Sequence, residues 1–170
     1  MRLPFAGGAI RNWAPGDVEP LAGLADNRNV WRNLTDRFPN PYAKKDAKVW
    51  IKGVTRQIPC AHFAIEADGR LAGGIGIMPQ ADLRKGTAEL GYWLGEPFWG
   101  RGLMTGAVGV FAGFALKEFK LRRLYALVLD WNPASMRVLE KSGFRLEGRL
   151  SHSALKDGVV VDELLYAKVV

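Results

Sequence analysis

The sequence predicts a mixed α/β fold of the α+β kind, and three observations carry that prediction. Asp68-Gly69 lies between runs 62–67 and 70–78, and Lys156-Asp157-Gly158 between runs 144–154 and 159–170; both read as hairpin turns. Apolar residues recur at helical spacing in two other stretches, Ala43, Ala47, Trp50, Ile51 and Val54, then Leu103, Ala107, Val110, Phe111 and Phe114. The 170 residues hold no repeat, low-complexity tract or linker, so one domain, 1–170, accounts for the chain.

Each element follows from local chemistry. Residues 5–13 read as a first strand, broken by Ala14-Pro15-Gly16. Asp17 is placed to cap a helix reaching about Asp26, with Val18, Leu21, Leu24 and Ala25 on one face. Residues 31–42 form a loop marked by Trp31, Phe38, Pro39, Pro41 and Tyr42, suited either to anchoring the flanking helices or to lining a pocket. After the first hairpin, residues 87–94 give a strand, 102–117 a helix and 123–130 a largely buried strand. Asn132 caps a short helix, Pro133 takes its first position and Gly143 ends it.

Composition narrows the function classes. With 48% hydrophobic and 24% charged residues the chain can build a full core, which argues against disorder. Cys60 is the lone cysteine, so no internal disulfide forms, as in a reducing compartment. No long apolar run suggests a leader or a span, and the expected location is cytoplasmic, without a membrane partner. The net charge of +7 favours anionic ligands such as nucleotide phosphates. Zinc-finger spacing, clustered RNA-binding aromatics and Lys/Arg runs are missing from the sequence, so neither a metal nor a nucleic acid is expected.

Two constellations carry chemistry. The first is Glu89-Leu-Gly-Tyr-Trp-Leu-Gly-Glu-Pro-Phe-Trp-Gly-Arg-Gly-Leu-Met-Thr105, a strand entering a helix through Gly100-Arg101-Gly102. The first turn of a helix exposes unpaired amides at a partly positive dipole end, and flanking glycines let a pyrophosphate approach them. Arg101 adds charge and Thr105 a hydroxyl. The dinucleotide fingerprint needs glycine where Thr105 stands, and no P-loop Gly-Lys-Ser/Thr is present. The alternative role of these glycines is close helix packing, to which Gly106, Gly109 and Gly113 also point. The second constellation is Asp130-Trp-Asn-Pro-Ala-Ser-Met-Arg-Val-Leu-Glu-Lys-Ser-Gly-Phe144. Ser135 lacks the Glu or Gln of a capping box, which leaves its hydroxyl free.

Taken in order, these two segments resemble the GNAT N-acetyltransferases, most closely the RimJ/RimL-like branch, and the likeness runs from Arg11-Asn-Trp to Tyr166. The resemblance implies a mostly antiparallel twisted sheet of about seven strands, with one parallel pair splayed apart. It implies that the backbone of Tyr92, Trp93 and Leu94 holds the pantetheine arm of acetyl-CoA. Residues Trp99, Gly100, Arg101, Gly102, Met104 and Thr105 would surround the pyrophosphate, and Asn132 would reach the cofactor from the neighbouring strand. Ser135 matches a position that assists the departing thiolate. The chain departs from the family pattern at Trp99, Met104 and Trp131, and Ala154 stands where some RimL-like enzymes carry a glutamate proposed as base.

The expected reaction is acetyl transfer from acetyl-CoA to a primary amine, either a protein N-terminus or a small molecule, by direct attack in a ternary complex. A protonated amine must lose a proton first, and Glu89 is the candidate base, acting through water. His152 and Tyr166 are lesser candidates, and Trp31, Phe38 and Tyr42 are the candidate acceptor contacts. A homodimer is compatible with this reading. The competing one is a regulatory or ribosome-associated module that binds acetyl-CoA without turnover.

Overall fold

The computed structural model describes all residues, Met1–Val170. Eight strands build one sheet: β1 (Arg2–Phe5), β2 (Gly8–Arg11), β3 (His62–Ala67), β4 (Arg70–Pro79), β5 (Thr87–Leu94), β6 (Arg123–Leu129), β7 (Arg145–Lys156) and β8 (Val159–Val169). Their spatial order is β1-β2-β3-β4-β5-β6-β8-β7, and only β5 and β6 are parallel. The helices are α1 (Val18–Ala25), α2 (Arg28–Trp31), α3 (Lys44–Val54), α4 (Leu103–Glu118) and α5 (Pro133–Lys141).

Strand alternation assigns the two faces. Phe63 and Ile65 of β3, Ile75 and Ile77 of β4, and Leu90 of β5 enter a cluster with Val108, Phe111 and Ala115 of α4 and Leu139 of α5. Ala64 and Leu71 join a smaller cluster on the other face with Trp13, Leu21 and Ala25 of α1, Tyr42, and Ala47, Ile51 and Val54 of α3. Phe63, Phe111 and Phe114 meet edge-on or tilted at 5.7 to 6.0 Å between centroids, a geometry aromatic quadrupoles favour.

Several local expectations need correction. The single first strand is a hairpin, because Gly7 takes a left-handed φ of +91° and turns the chain between β1 and β2. This adds the eighth strand. Asp17 makes no cap to α1; it is buried and accepts hydrogen bonds from the Ala14 N–H at 2.8 Å and from both terminal nitrogens of Arg11 at 2.8 Å. The loop after α1 contains the short helix α2, whose first amides donate to Asn27 Oδ1. Of the three α4 glycines, only Gly106 packs closely: a Cβ there would lie 3.0 Å from Phe5. Gly109 and Gly113 face open space, and Val110 points outward.

Arg11 also donates to Glu66 at 2.7 Å, so one half-buried guanidinium ties β2 to β3 and to the entry of α1. The two guanidinium neighbours Arg2 and Arg11 hold the Glu66 carboxyl below its usual range. Replacing Arg11 with Met strands a buried Asp17 carboxylate without its partner. The expected cost is about 3 kcal/mol, read in calorimetry as a fall in Tm of about 6–12 °C.

Candidate active site

The site begins where the parallel pair stops being a pair. Residues Thr87, Ala88 and Glu89 of β5 are in register with Arg123, Leu124 and Tyr125 of β6, and there the ladder ends. Beyond it β5 stays bonded to β4 through Leu94, while β6 stays bonded to β8 through Leu129. The edge of β5 from Leu90 to Leu94 therefore turns its free backbone groups into a gap. Amides and carbonyls on such an edge seek partners, and an extended amide-bearing chain supplies them.

The glycine turn stands at the end of the strand that borders this gap. A short 3-10 turn, Glu96–Phe98, follows β5, and the Trp99 indole N–H donates back to the Leu94 carbonyl at 2.8 Å. Gly100 and Gly102 both have φ of +73°, and a Cβ at either would meet nothing within 4 Å. The glycines are there for backbone conformation and open approach. Gly102 is the N-cap of α4, and no side chain caps it. The first intrahelical bond at this end runs from the Gly106 N–H to the Gly102 carbonyl, 3.2 Å, so the N–H groups of Leu103, Met104 and Thr105 precede the ladder. Arg101 pairs with Asp68 at 2.8 Å across the surface, and Met104 is buried in the core. The cradle of unspent amides and open glycines fits a diphosphate.

Across the gap, α5 begins. Asn132 Oδ1 accepts the Ser135 N–H at 3.2 Å, so its carbonyl oxygen serves the cap. The Ser135 hydroxyl lies 2.7 Å from the Tyr92 hydroxyl, a contact between residues 43 apart in sequence. Tyr92 packs with the α4-side cluster, and burial pushes its phenol well above the ordinary tyrosine value. No sequence signal marks this pairing, because it depends on where the gap brings β5 opposite α5.

Glu89, Gly91 and Trp93 occupy the opposite face of β5 from Leu90 and Tyr92. Burial, reinforced by the charge of Glu163, raises the Glu89 carboxyl, against smaller opposing effects from Arg37 and the Tyr125 hydroxyl. Glu163 Oε2 accepts a hydrogen bond from Ser153 at 2.9 Å. Gly91 is exposed, and a Cβ there would meet open space. Its left-handed freedom is not used, so the absent side chain leaves room beside the gap. This floor went unread in the sequence, although an interior strand glycine is a legible signal.

Trp93 packs on Phe38 at 5.5 Å and Phe38 on Tyr42 at 4.9 Å, so Tyr42 is a buried anchor of the 31–42 loop. Trp31 and Phe38 line a cavity of about 380 Å³ with Asp36, Asn40 and the tip of the β7–β8 hairpin. The buried Lys156 ammonium sits 3.5 Å above the Trp31 ring and 2.7 Å from Asp36, latching hairpin to loop. His152 is exposed at a bulge in β7, Ala154 pairs with Val161, and the hydroxyl of the buried Tyr166 donates to the exposed Glu140 at 2.9 Å. The structure thus sets Tyr92 against Ser135, with Tyr166 beside Tyr92, places Glu89 on the opposite face of β5, and leaves His152 and Ala154 outside these contacts. No helix is long and apolar enough to cross a membrane.

Comparison with known proteins agrees with this geometry. The family model described as an acetyltransferase (GNAT) domain matches residues 9–145. The probable N-acetyltransferase YjcK of Bacillus subtilis is 38% identical over 108 residues, 62% of this chain and 60% of that protein. The chain therefore aligns with less than two thirds of YjcK's length. The ribosomal-protein-serine acetyltransferase of Escherichia coli is 27% identical over 161 residues, 92% of this chain and 89% of that one. Among solved structures, RimL, a ribosomal L7/L12 α-N-protein acetyltransferase in complex with coenzyme A, superposes with a TM-score of 0.87 at 20% identity, covering 100% of this chain and 98% of that one. The chain belongs to the GNAT acetyltransferase family.

Proposed function

We propose that the protein transfers the acetyl group of acetyl-CoA to a primary amine, a protein N-terminus or a small molecule, by direct attack in a ternary complex. The observation that carries this reading is the parted β5–β6 pair with the uncapped start of α4 at its end. When bound, acetyl-CoA supplies an acyl carbon already activated by its thioester. The amides of Leu103, Met104 and Thr105 bind the diphosphate, and the free edge of β5 at Tyr92, Trp93 and Leu94 aligns the pantetheine and polarises the acyl carbonyl. The acceptor enters from the face of Glu89 and Gly91, the Gly91 floor giving it room. Glu89, held basic by burial and by Glu163, takes the ammonium proton through water. The loop aromatics Trp31 and Phe38 and the hairpin tip wall the acceptor side.

The test is labelled acetyl transfer to a peptide with an N-terminal serine and, separately, to a polyamine. Product from either acceptor, dependent on both substrates, supports the reading and selects the acceptor type. Coenzyme A binding without transfer to a broad amine panel would favour a binding module instead.

A further inference from the structure

The mechanism above leaves one short contact unused, the hydrogen bond between two hydroxyls that crosses the gap. The Tyr92 side chain comes from β5 and Ser135 from the first turn of α5, with their oxygens 2.7 Å apart. The Tyr92 hydroxyl also lies 3.4 Å from the Ser135 backbone carbonyl, which can only accept; the phenol has a single hydrogen, and the shorter 2.7 Å contact takes it. A phenol is the more acidic of the two hydroxyls and keeps the donor role in the short bond. Ser135 Oγ then accepts from Tyr92, and its own hydrogen is free to point elsewhere. The α5 cap is made by Asn132, and Phe would fill the same ring volume among the core residues that surround Tyr92.

We propose that Tyr92 is a positioning residue for Ser135: the Tyr92 O–H donates to Ser135 Oγ, and the Ser135 O–H donates to the sulfur of coenzyme A. This rests on the acetyl-CoA reading above. Glu89 passes the first ammonium proton to solvent before attack; as the carbon–nitrogen bond forms and the carbon–sulfur bond breaks, the electron pair goes to sulfur and the second amine proton leaves through Glu89. Coenzyme A departs as a thiolate held by a hydrogen bond, with both hydroxyl protons still on their oxygens. A donated hydrogen bond makes Ser135 a stronger donor in turn, since linked hydrogen bonds polarise one another. Burial keeps the Tyr92 phenol protonated throughout. The titratable groups facing the pair are Tyr166 of β8, pushed up to about 12, and Glu140 of α5, which accepts the Tyr166 hydroxyl.

The relay is tested without any acceptor, by titrating the thiol of bound coenzyme A through the ultraviolet absorbance of its thiolate. In the wild-type protein the bound thiol ionises below its value in Tyr92→Phe by about one pH unit, a tenfold change in the ionisation constant. Ser135→Ala shifts the thiol upward at least as far, and the double variant adds nothing beyond Ser135→Ala, as expected of residues acting in series. Desulfo-coenzyme A binds the wild-type and Tyr92→Phe proteins with the same affinity. An unchanged thiol titration in Tyr92→Phe with coenzyme A still bound overturns the relay alone. So does an equal weakening of both ligands, which marks a purely structural tyrosine. A wild-type protein that binds no coenzyme A overturns the acetyl-CoA reading, and the relay with it.

Discussion

Replacing Gly102 with Val weakens coenzyme A binding by at least about 100-fold, equivalent to about 2.7 kcal/mol. Gly102 holds φ at +73° as the N-cap of α4. A β-branched residue is a genuine outlier there, at a cost of about 1–2 kcal/mol even for ordinary side chains. The chain relieves that strain by rotating φ negative, and the amides of Leu103, Met104 and Thr105 then lose their common aim. Added bulk compounds the loss, because the position is open only while it carries no side chain. Gly109→Ala is the matched control. Gly109 is exposed inside the same helix with nothing near its missing Cβ, so alanine leaves binding intact and adds about 0.5–1 kcal/mol of stability. Calorimetric titration and thermal unfolding read both effects, and a Gly102→Val protein binding within threefold of wild type contradicts the cradle.

Replacing Glu89 with Gln lowers kcat by about 10²- to 10⁴-fold, the usual worth of a positioned base, with the acetyl-CoA KM little changed. The wild-type rate climbs with pH as Glu89 ionises, and it does so above the ordinary glutamate range, because burial and Glu163 raise this carboxyl. The Gln variant loses that acidic limb. Stability moves the other way. A carboxyl whose folded value is raised costs the fold stability as pH rises from its unfolded value, about 4.3, through the folded one. Gln has no such cost. The variant therefore unfolds at a higher temperature than wild type in neutral and alkaline buffer, and the two converge at acid pH. A variant that is inactive and also less stable at pH 8 would show that Glu89 is a structural carboxylate.

What was legible in the sequence was what depends on near neighbours in the chain. The Asp68-Gly69 and Asp157-Gly158 turns, the Asn132-Pro133 helix start and the Gly100–Gly102 approach to α4 are set within a few residues, and each is present in the structure. The β1–β2 hairpin was missed because an apolar run hid Ala6-Gly7, and the fold needs φ of +91° there. Asp17 looked like a cap because caps are local; Arg11, six residues back, takes both of its oxygens. The site divided the same way. The proposed phosphate cradle is one contiguous segment. The Tyr92–Ser135 bond and the Glu89–Glu163 coupling join distant segments and arise only from sheet register.

The central claim is that the start of α4 grips a diphosphate and directs a thioester into the gap between β5 and β6. A crystal structure with coenzyme A bound tests it most directly. The account predicts diphosphate oxygens within hydrogen-bonding distance of the amides of residues 103–105, and pantetheine amides paired with the free edge of β5. A diphosphate seated elsewhere, or a β5–β6 gap closed by protein side chains in that complex, contradicts it.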